Sequence, residues 1–178
     1  LDREHEIGGY AAAAEYSLDF VKTRRMITKL INAESDNEIA LVDSATTAWI
    51  RAFYSVNLKK DDIILTCEAE YAANFVAMLQ QAKRSGAKIE IIPSDSTGLI
   101  DLSVLENSLK NANGAVKVVC LTWIPTNGGL VNPAELVGQL TKKYKALYIV
   151  DACQAAGQIS IDVERLQCDF LSATGRKY

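Results

Sequence analysis

The sequence predicts an α/β fold, a mostly parallel sheet with helices on both faces. Short runs of β-branched and apolar residues alternate with amphipathic stretches of helical period, the pattern of a doubly wound sheet. Several of those runs also stop at small or polar residues just where the next helix begins, as in LVDSATTAW (41–49), TCEAEYAANF (66–75) and IVDACQAAGQ (149–158). In a parallel sheet such junctions gather at the carboxyl ends of the strands, where ligands bind.

In chain order, 11–30 predicts a long N-terminal helix with Tyr10, Ala13, Ala14, Ser17, Phe20, Val21 and Ile27 on a mixed face. Strands are expected at 39–42, 63–66, 89–92, 116–121, 147–150 and 169–173, each apolar and rich in Val, Ile or Leu. Between them, helices are expected at 46–56, 72–85, 102–111 and 133–144 from their apolar spacing. Stop and start signals agree. Ser85-Gly86 closes one helix, Asp101 can cap another, and Asn132 followed by Pro133 opens a third. There is no internal repeat and no low-complexity linker, so residues 1–178 read as one domain or a fragment of a larger one, with 1–35 as a helical entry segment. The Gly/Pro/Asn-rich PTNGGLVNP (125–133) lies between a strand and a helix.

Bulk properties narrow the function classes. With 49% hydrophobic and 23% charged residues, the 178-residue chain can bury a sizeable core. Nineteen basic residues against 22 acidic ones, with no basic block, give little support to a nucleic-acid surface. No apolar run approaches the ~20 residues of a membrane span, so a membrane partner is not expected. Four cysteines without a CxxC pair and a single histidine, His5, argue against a metal site, a disulfide framework or a His-based triad. Buried thiols and a cytoplasmic location are the expectation.

Four stretches can carry chemistry, and each also has an ordinary structural explanation. Asp151 ends a buried strand, with Gln154 three residues on; an Asp there either meets a cation or simply caps the ACQAAG turn. Asp43-Ser44-Ala45-Thr46-Thr47 enters a helix whose free N–H groups suit an anion, or whose Ser and Thr are caps. Tyr71 at the next strand exit offers a flat face to a planar ligand, or packs. Thr174, Arg176 and Lys177 follow the last strand, where a partly desolvated lysine is a nucleophile toward a carbonyl and an exposed one is a tail. There is no Walker loop and no GxGxxG. Their combination, all at strand ends of one sheet, fits a planar phosphorylated aldehyde. The phosphate takes a helix start, the ring an aromatic face, the ring nitrogen a carboxylate and the aldehyde a lysine. That ligand is pyridoxal 5′-phosphate.

The stretch IVDACQAAGQISIDVERLQCDFLSATGRKY (149–178) also resembles the class V aminotransferase family of fold-type-I pyridoxal-phosphate enzymes, in its Asp-x-x-Gln, Cys-Asp-Phe and Ser/Thr-Gly-x-Lys order. The family includes cysteine desulfurases, selenocysteine lyases, isopenicillin-epimerase-like proteins and C–S lyases. EHEIGGYAAA (4–13) is similar to the entry segment of its epimerase-like branch. The resemblance implies part of the large domain of an aspartate-aminotransferase-like fold. It implies that Lys177 binds the cofactor's aldehyde and serves as base at the substrate Cα, that Asp151 pairs with the ring nitrogen, and that Gln154 binds the phenolic oxygen. Ala45, Thr46 and Thr174 would hold the phosphate, Tyr71 would stack on the ring, and Thr126 would contact the cofactor. Arg176 stands where the family usually has His, and its guanidinium suits a phosphate. Tyr71 also replaces a usual His, and Pro125-Thr126 a usual Ser-Asn; both lean away from a typical desulfurase toward the epimerase-like or C–S lyase branch. An amino-acid substrate, sulfur-containing ones among the candidates, and a homodimer are further implications. So is a parent about twice as long, of which this chain is an N-terminal fragment unable to turn over alone. Two other functions compete: a small-molecule transferase that does not use pyridoxal phosphate, and a non-catalytic α/β binding module in which Asp151 and Thr46 are caps and Lys177 is tail.

Overall fold

The computed structural model describes residues 1–177. The chain divides into two compact units, Leu1–Leu41 and Val42–Tyr178.

The first unit is helical: α1 (Asp2–Ile7), α2 (Gly9–Glu15), α3 (Ser17–Ile31) and a 3₁₀ turn at Asp36–Glu38. The single helix expected over 11–30 is two helices. Tyr16, at φ −90° and ψ 2°, leaves helical geometry between α2 and α3, and its carbonyl accepts the N–H groups of both Asp19 and Phe20, which starts the next helix. Gly8 separates α1 from α2 at φ 84°, a backbone state that costs a side-chain-bearing residue and not glycine. The 3₁₀ turn is closed by a capping box, with Ser35 and Glu38 satisfying each other's backbone N–H groups. Ala12 is the buried apolar residue of this unit; Tyr10, Leu18, Phe20 and Met26 are exposed.

The second unit holds a five-stranded, all-parallel sheet in the order β2-β1-β3-β4-β5. The strands are β1 (Ile63–Cys67), β2 (Lys88–Ile92), β3 (Val116–Thr122), β4 (Leu147–Asp151) and β5 (Phe170–Ser172). The helices are α4 (Ala45–Ser55), α5 (Ala72–Ser85), α6 (Leu102–Asn111), α7 (Ala134–Tyr144) and α8 (Val163–Leu166). The expected strand at 39–42 does not form: among the described residues no strand pairs with it, and a strand's N–H and C=O groups need a ladder partner. Ser44 instead enters α4 in extended geometry and caps it, accepting the Thr47 N–H at 3.1 Å. Asp101 caps α6 through the N–H groups of Ser103 and Val104, and Gly86 closes α5. Asn132 does not cap α7. Pro133 takes that place without a side-chain bond, while the buried Asn132 amide accepts from Ile100 N–H and donates to the Thr122 carbonyl.

One face of the sheet is covered by α4 and α5: Trp49, Phe53, Ala77 and Met78 pack on Ile64, Val118, Cys120 and Ile149. Trp49 and Phe53 stack with ring centroids 4.9 Å apart. Alternate strand residues face the other way, and there Tyr148 reaches α7, donating its hydroxyl to the Ala134 carbonyl at 3.1 Å. The chain runs outward from β1 to β2, then jumps back across β1 to β3 and continues to β4 and β5. The crevice between the carboxyl ends of β1 and β3 is therefore a topological switch point, where open α/β sheets bind ligands.

Candidate active site

A cleft of about 160 Å³ opens at those carboxyl ends. Its lining contains all nine residues singled out from the sequence: Ala45 and Thr46 at the start of α4, Tyr71 after β1, Thr126 after β3, Asp151 ending β4, Gln154 in the turn beyond it, and Thr174, Arg176 and Lys177 after β5. Residues from 45 to 177 converge because every crossover in a parallel sheet returns the chain to the same end.

The α4 start is built for an anion. Ser44 satisfies the Thr47 N–H and its hydroxyl donates to Thr47 Oγ1 at 3.0 Å. The N–H groups of Ala45 and Thr46 have no acceptor within the helix and both residues line the cleft. The Arg176 guanidinium and Thr174 hydroxyl add donors to the same lining. Asp151 is buried and held from two sides. Its Oδ1 accepts the Cys153 N–H at 3.0 Å and its Oδ2 accepts Asn74 Nδ2 at 2.8 Å. The turn-capping role thus exists, but the Cys153 N–H bond occupies one oxygen only. Gln154 Nε2 donates to Thr126 Oγ1 at 3.2 Å, tying the β4 exit to the loop after β3. Tyr71 is 44% exposed and does not pack into the core, which leaves its ring available to a flat ligand. Lys177 is half-buried in a short 3₁₀ turn, Gly175–Lys177, and its carbonyl lies 3.5 Å from Gln158 Nε2. The strand feeding it, expected over 169–173, is shorter, Phe170–Ser172: the Asp169 N–H still donates to the Tyr148 carbonyl, but the Tyr148 N–H goes to the Asp169 carboxylate in place of a backbone carbonyl.

Sequence reasoning missed three residues here. Cys153 lines the cleft; its thiol is pushed up to about 12, first by burial and then by the Asp151 carboxylate. Asn74 and Glu70 form a polar layer behind the cleft. Glu70 as a residue is half-buried, but its carboxyl lies among the buried Thr66, Asn74 and Thr122 and accepts from all three, and from the Tyr71 N–H. Burial pushes this carboxyl up, ahead of the four hydrogen bonds that pull it down. The available signal was Glu70 just after a strand, with Asn74 four residues on, on the face of α5 that also carries Ala77 and Met78. Cys67 and Cys168 are raised to about 12 and about 11, and Cys120 well above its ordinary value, each mainly by burial. Among the described residues no group of three or more His, Cys, Asp or Glu could hold a metal ion, and no helix is long and apolar enough to cross a membrane.

The donor set therefore fits a phosphorylated, cationic ring with an electrophilic carbon: N–H and guanidinium donors for an anion, a two-point-held carboxylate for a ring N–H, an aromatic face and an amine. Comparison with known proteins points the same way. A probable cysteine desulfurase of Borreliella burgdorferi is 32% identical over 174 residues, covering 95% of this chain and 40% of the relative. One of Synechocystis is 35% identical over 157 residues, covering 86% and 37%. The chain thus spans about 40% of the length of the curated relatives it matches. Among solved structures, an apo cysteine desulfurase from Thermococcus onnurineus superposes with a TM-score of 0.86 at 25% identity, covering 93% of this chain and 40% of that one. The Escherichia coli cysteine desulfurase CsdA gives 0.84 at 23%, covering 94% and 42%. Residues 4–178 match the family Aminotransferase class-V. With the fold, the cleft and this match in agreement, the chain belongs to the class V aminotransferase family.

Proposed function

We propose that this chain forms the cofactor-holding part of an enzyme that acts on an amino acid, with sulfur-containing amino acids, cysteine first, as its substrates. The cofactor of the family is pyridoxal 5′-phosphate. The observation that carries the proposal is the meeting of Lys177, Asp151, Tyr71 and the α4 start in one cleft, from three strand exits and one helix start. When bound, the cofactor supplies an electron sink for the pair left as a bond at the substrate Cα breaks.

The residues divide that work. Ala45 and Thr46 N–H groups, the Thr174 hydroxyl and Arg176 hold the phosphate. Asp151 keeps a proton on the ring nitrogen, since a buried carboxylate favours its cationic partner. Gln154 and Thr126, already bonded to each other, orient the ring's polar edge, and Tyr71 covers one face. Lys177 Nζ would hold the aldehyde carbon, and its free amine would be the base for the proton at the substrate Cα. Cys153 is too well protonated to serve as a sulfur acceptor. Cysteine as substrate is supported by the curated relatives, described as cysteine desulfurases. A second reading, C–S lysis or epimerase-like chemistry, is favoured by Tyr71, a phenol lining the cleft where the resembled family usually has an imidazole. A homodimer and a cytoplasmic location belong to the same proposal, the former tested by light scattering on the full-length protein.

The test is borohydride reduction of the full-length protein loaded with pyridoxal phosphate, followed by peptide mass mapping. A label on Lys177, lost in Lys177→Ala together with turnover, is expected; turnover retained in that variant would refute the assignment. Incubation with cysteine then separates the chemistries: desulfuration leaves alanine, C–S lysis leaves pyruvate and ammonia, and epimerisation leaves the amino acid with inverted configuration.

A further inference from the structure

The polar layer behind the cleft contacts two of its working residues at once. Glu70 Oε1 accepts the backbone N–H of Tyr71 at 2.8 Å and Asn74 Nδ2 at 3.0 Å, and also the Thr122 hydroxyl. Glu70 Oε2 accepts the Thr66 hydroxyl at 2.9 Å. The same Asn74 nitrogen donates its second hydrogen to Asp151 Oδ2 at 2.8 Å. An amide NH₂ has two hydrogens, and here one goes to each carboxyl. Both partners are acceptors, so the amide orientation follows from the network. Asn74 is 2% exposed, Thr66 0% and Thr122 5%, so water does not compete for these bonds. The layer joins β1 (Thr66), β3 (Thr122), the start of α5 (Asn74) and β4 (Asp151) across the switch point of the sheet.

We infer that Glu70 and Asn74 are positioning residues: Glu70 locks the Asn74 amide and the Tyr71 backbone, and Asn74 in turn fixes the Asp151 carboxylate, so that the ring's stacking side and its nitrogen partner are set by one hub. The inference rests on the cofactor assignment made above. It concerns the shape of the hub and not its charge. Three of the four donors converge on Oε1 and one on Oε2, so a glutamine can place its oxygen toward the three and its NH₂ toward Thr66, whose hydroxyl turns to accept. Glu70→Gln therefore preserves the network, whereas Glu70→Ala and Asn74→Ala break it.

The experiment uses the full-length protein and measures the pyridoxal-phosphate Kd, the visible circular dichroism of the bound cofactor, and the unfolding midpoint of the apo form. Wild type comes first: failure to bind pyridoxal phosphate through Lys177 overturns the cofactor assignment itself, before the hub is at issue. With wild-type binding in place, Asn74→Ala is expected to raise Kd about 10- to 100-fold, as loss of a buried partner behind a binding residue does, and to change the visible circular dichroism because the ring tilts. Glu70→Ala should do the same, and Glu70→Gln should restore both values to within about threefold of wild type. A purely structural role would lower the apo midpoint and leave the cofactor's circular dichroism unchanged; that result overturns the proposal. So does a Glu70→Gln protein that loses the cofactor as fully as Glu70→Ala. Asn74→Ser keeps a small polar group in place and carries the same test if Asn74→Ala does not fold.

Discussion

Asp151 is held in place by the Cys153 N–H and Asn74 before any ligand arrives, and such preorganisation is what a carboxylate needs to hold a ring proton. Asp151→Ala should leave Lys177 able to capture the cofactor but lower kcat by about a hundredfold or more, the scale of breaking a buried charge pair. Single-turnover rates on the loaded full-length enzyme check it. Cys153, beside it, should be nearly inert. With its thiol at about 12, the thiolate fraction at pH 8 is about one in 10,000, and alkylation by iodoacetamide should rise about tenfold per pH unit up to pH 10. Glu70 gives a pH signature of stability. Its folded carboxyl is raised above its unfolded value, so its contribution is fully present below the ordinary carboxylate range and is lost as pH rises through the folded value. Glu70→Gln removes that loss, so its gain in Tm over wild type should be larger near pH 8 than near pH 4. That Asp151, Gln154 and Lys177 line one cleft was legible in the sequence because they end or follow strands in a fixed order. Asn74 was not: it looks like an ordinary helix residue, and its partner Asp151 is 77 positions away.

At the scale of elements, local signals were legible where they act locally. The bounds of α5 and α6 match the sequence expectation, and both ends are set by nearby groups, Gly86 and Asp101. Asp101→Ala should cost about 1 kcal/mol, the usual loss for a side-chain cap, measurable by urea unfolding. The errors fell where an element depends on something distant or on a single backbone angle. Residues 39–42 have strand composition but no ladder, and Tyr16 interrupts a helix that periodicity alone continues. The contact between α7 and α8 was equally hidden. A Cβ on Gly138 would lie 1.9 Å from the Leu166 carbonyl oxygen, and that neighbour is backbone, so it cannot swing aside. Gly138→Ala should destabilise by about 3 kcal/mol, with the urea midpoint falling and the spectrum of the folded state retained.

At the scale of the Val42–Tyr178 unit, strand order decides where the cleft lies. The chain leaves β1 and β3 in opposite directions along the sheet, and that switch opens the crevice on the carboxyl side; the alternating sequence pattern foretold a parallel sheet without foretelling that order. The order has a further effect in time. Nearly every group that prepares the cleft, from the α4 start to Asp151, is synthesised before the group that closes it, Lys177. At roughly 5–20 residues per second, the lysine leaves the ribosome about one to five seconds after Asp151. A nascent chain that has left the ribosome only as far as Arg176 would present a phosphate cradle and a carboxylate with nothing to trap the aldehyde, and one whose Lys177 is also outside would turn yellow under the proposed cofactor assignment. The colour would then serve as a clock, marking when β5 joins β4 during translation.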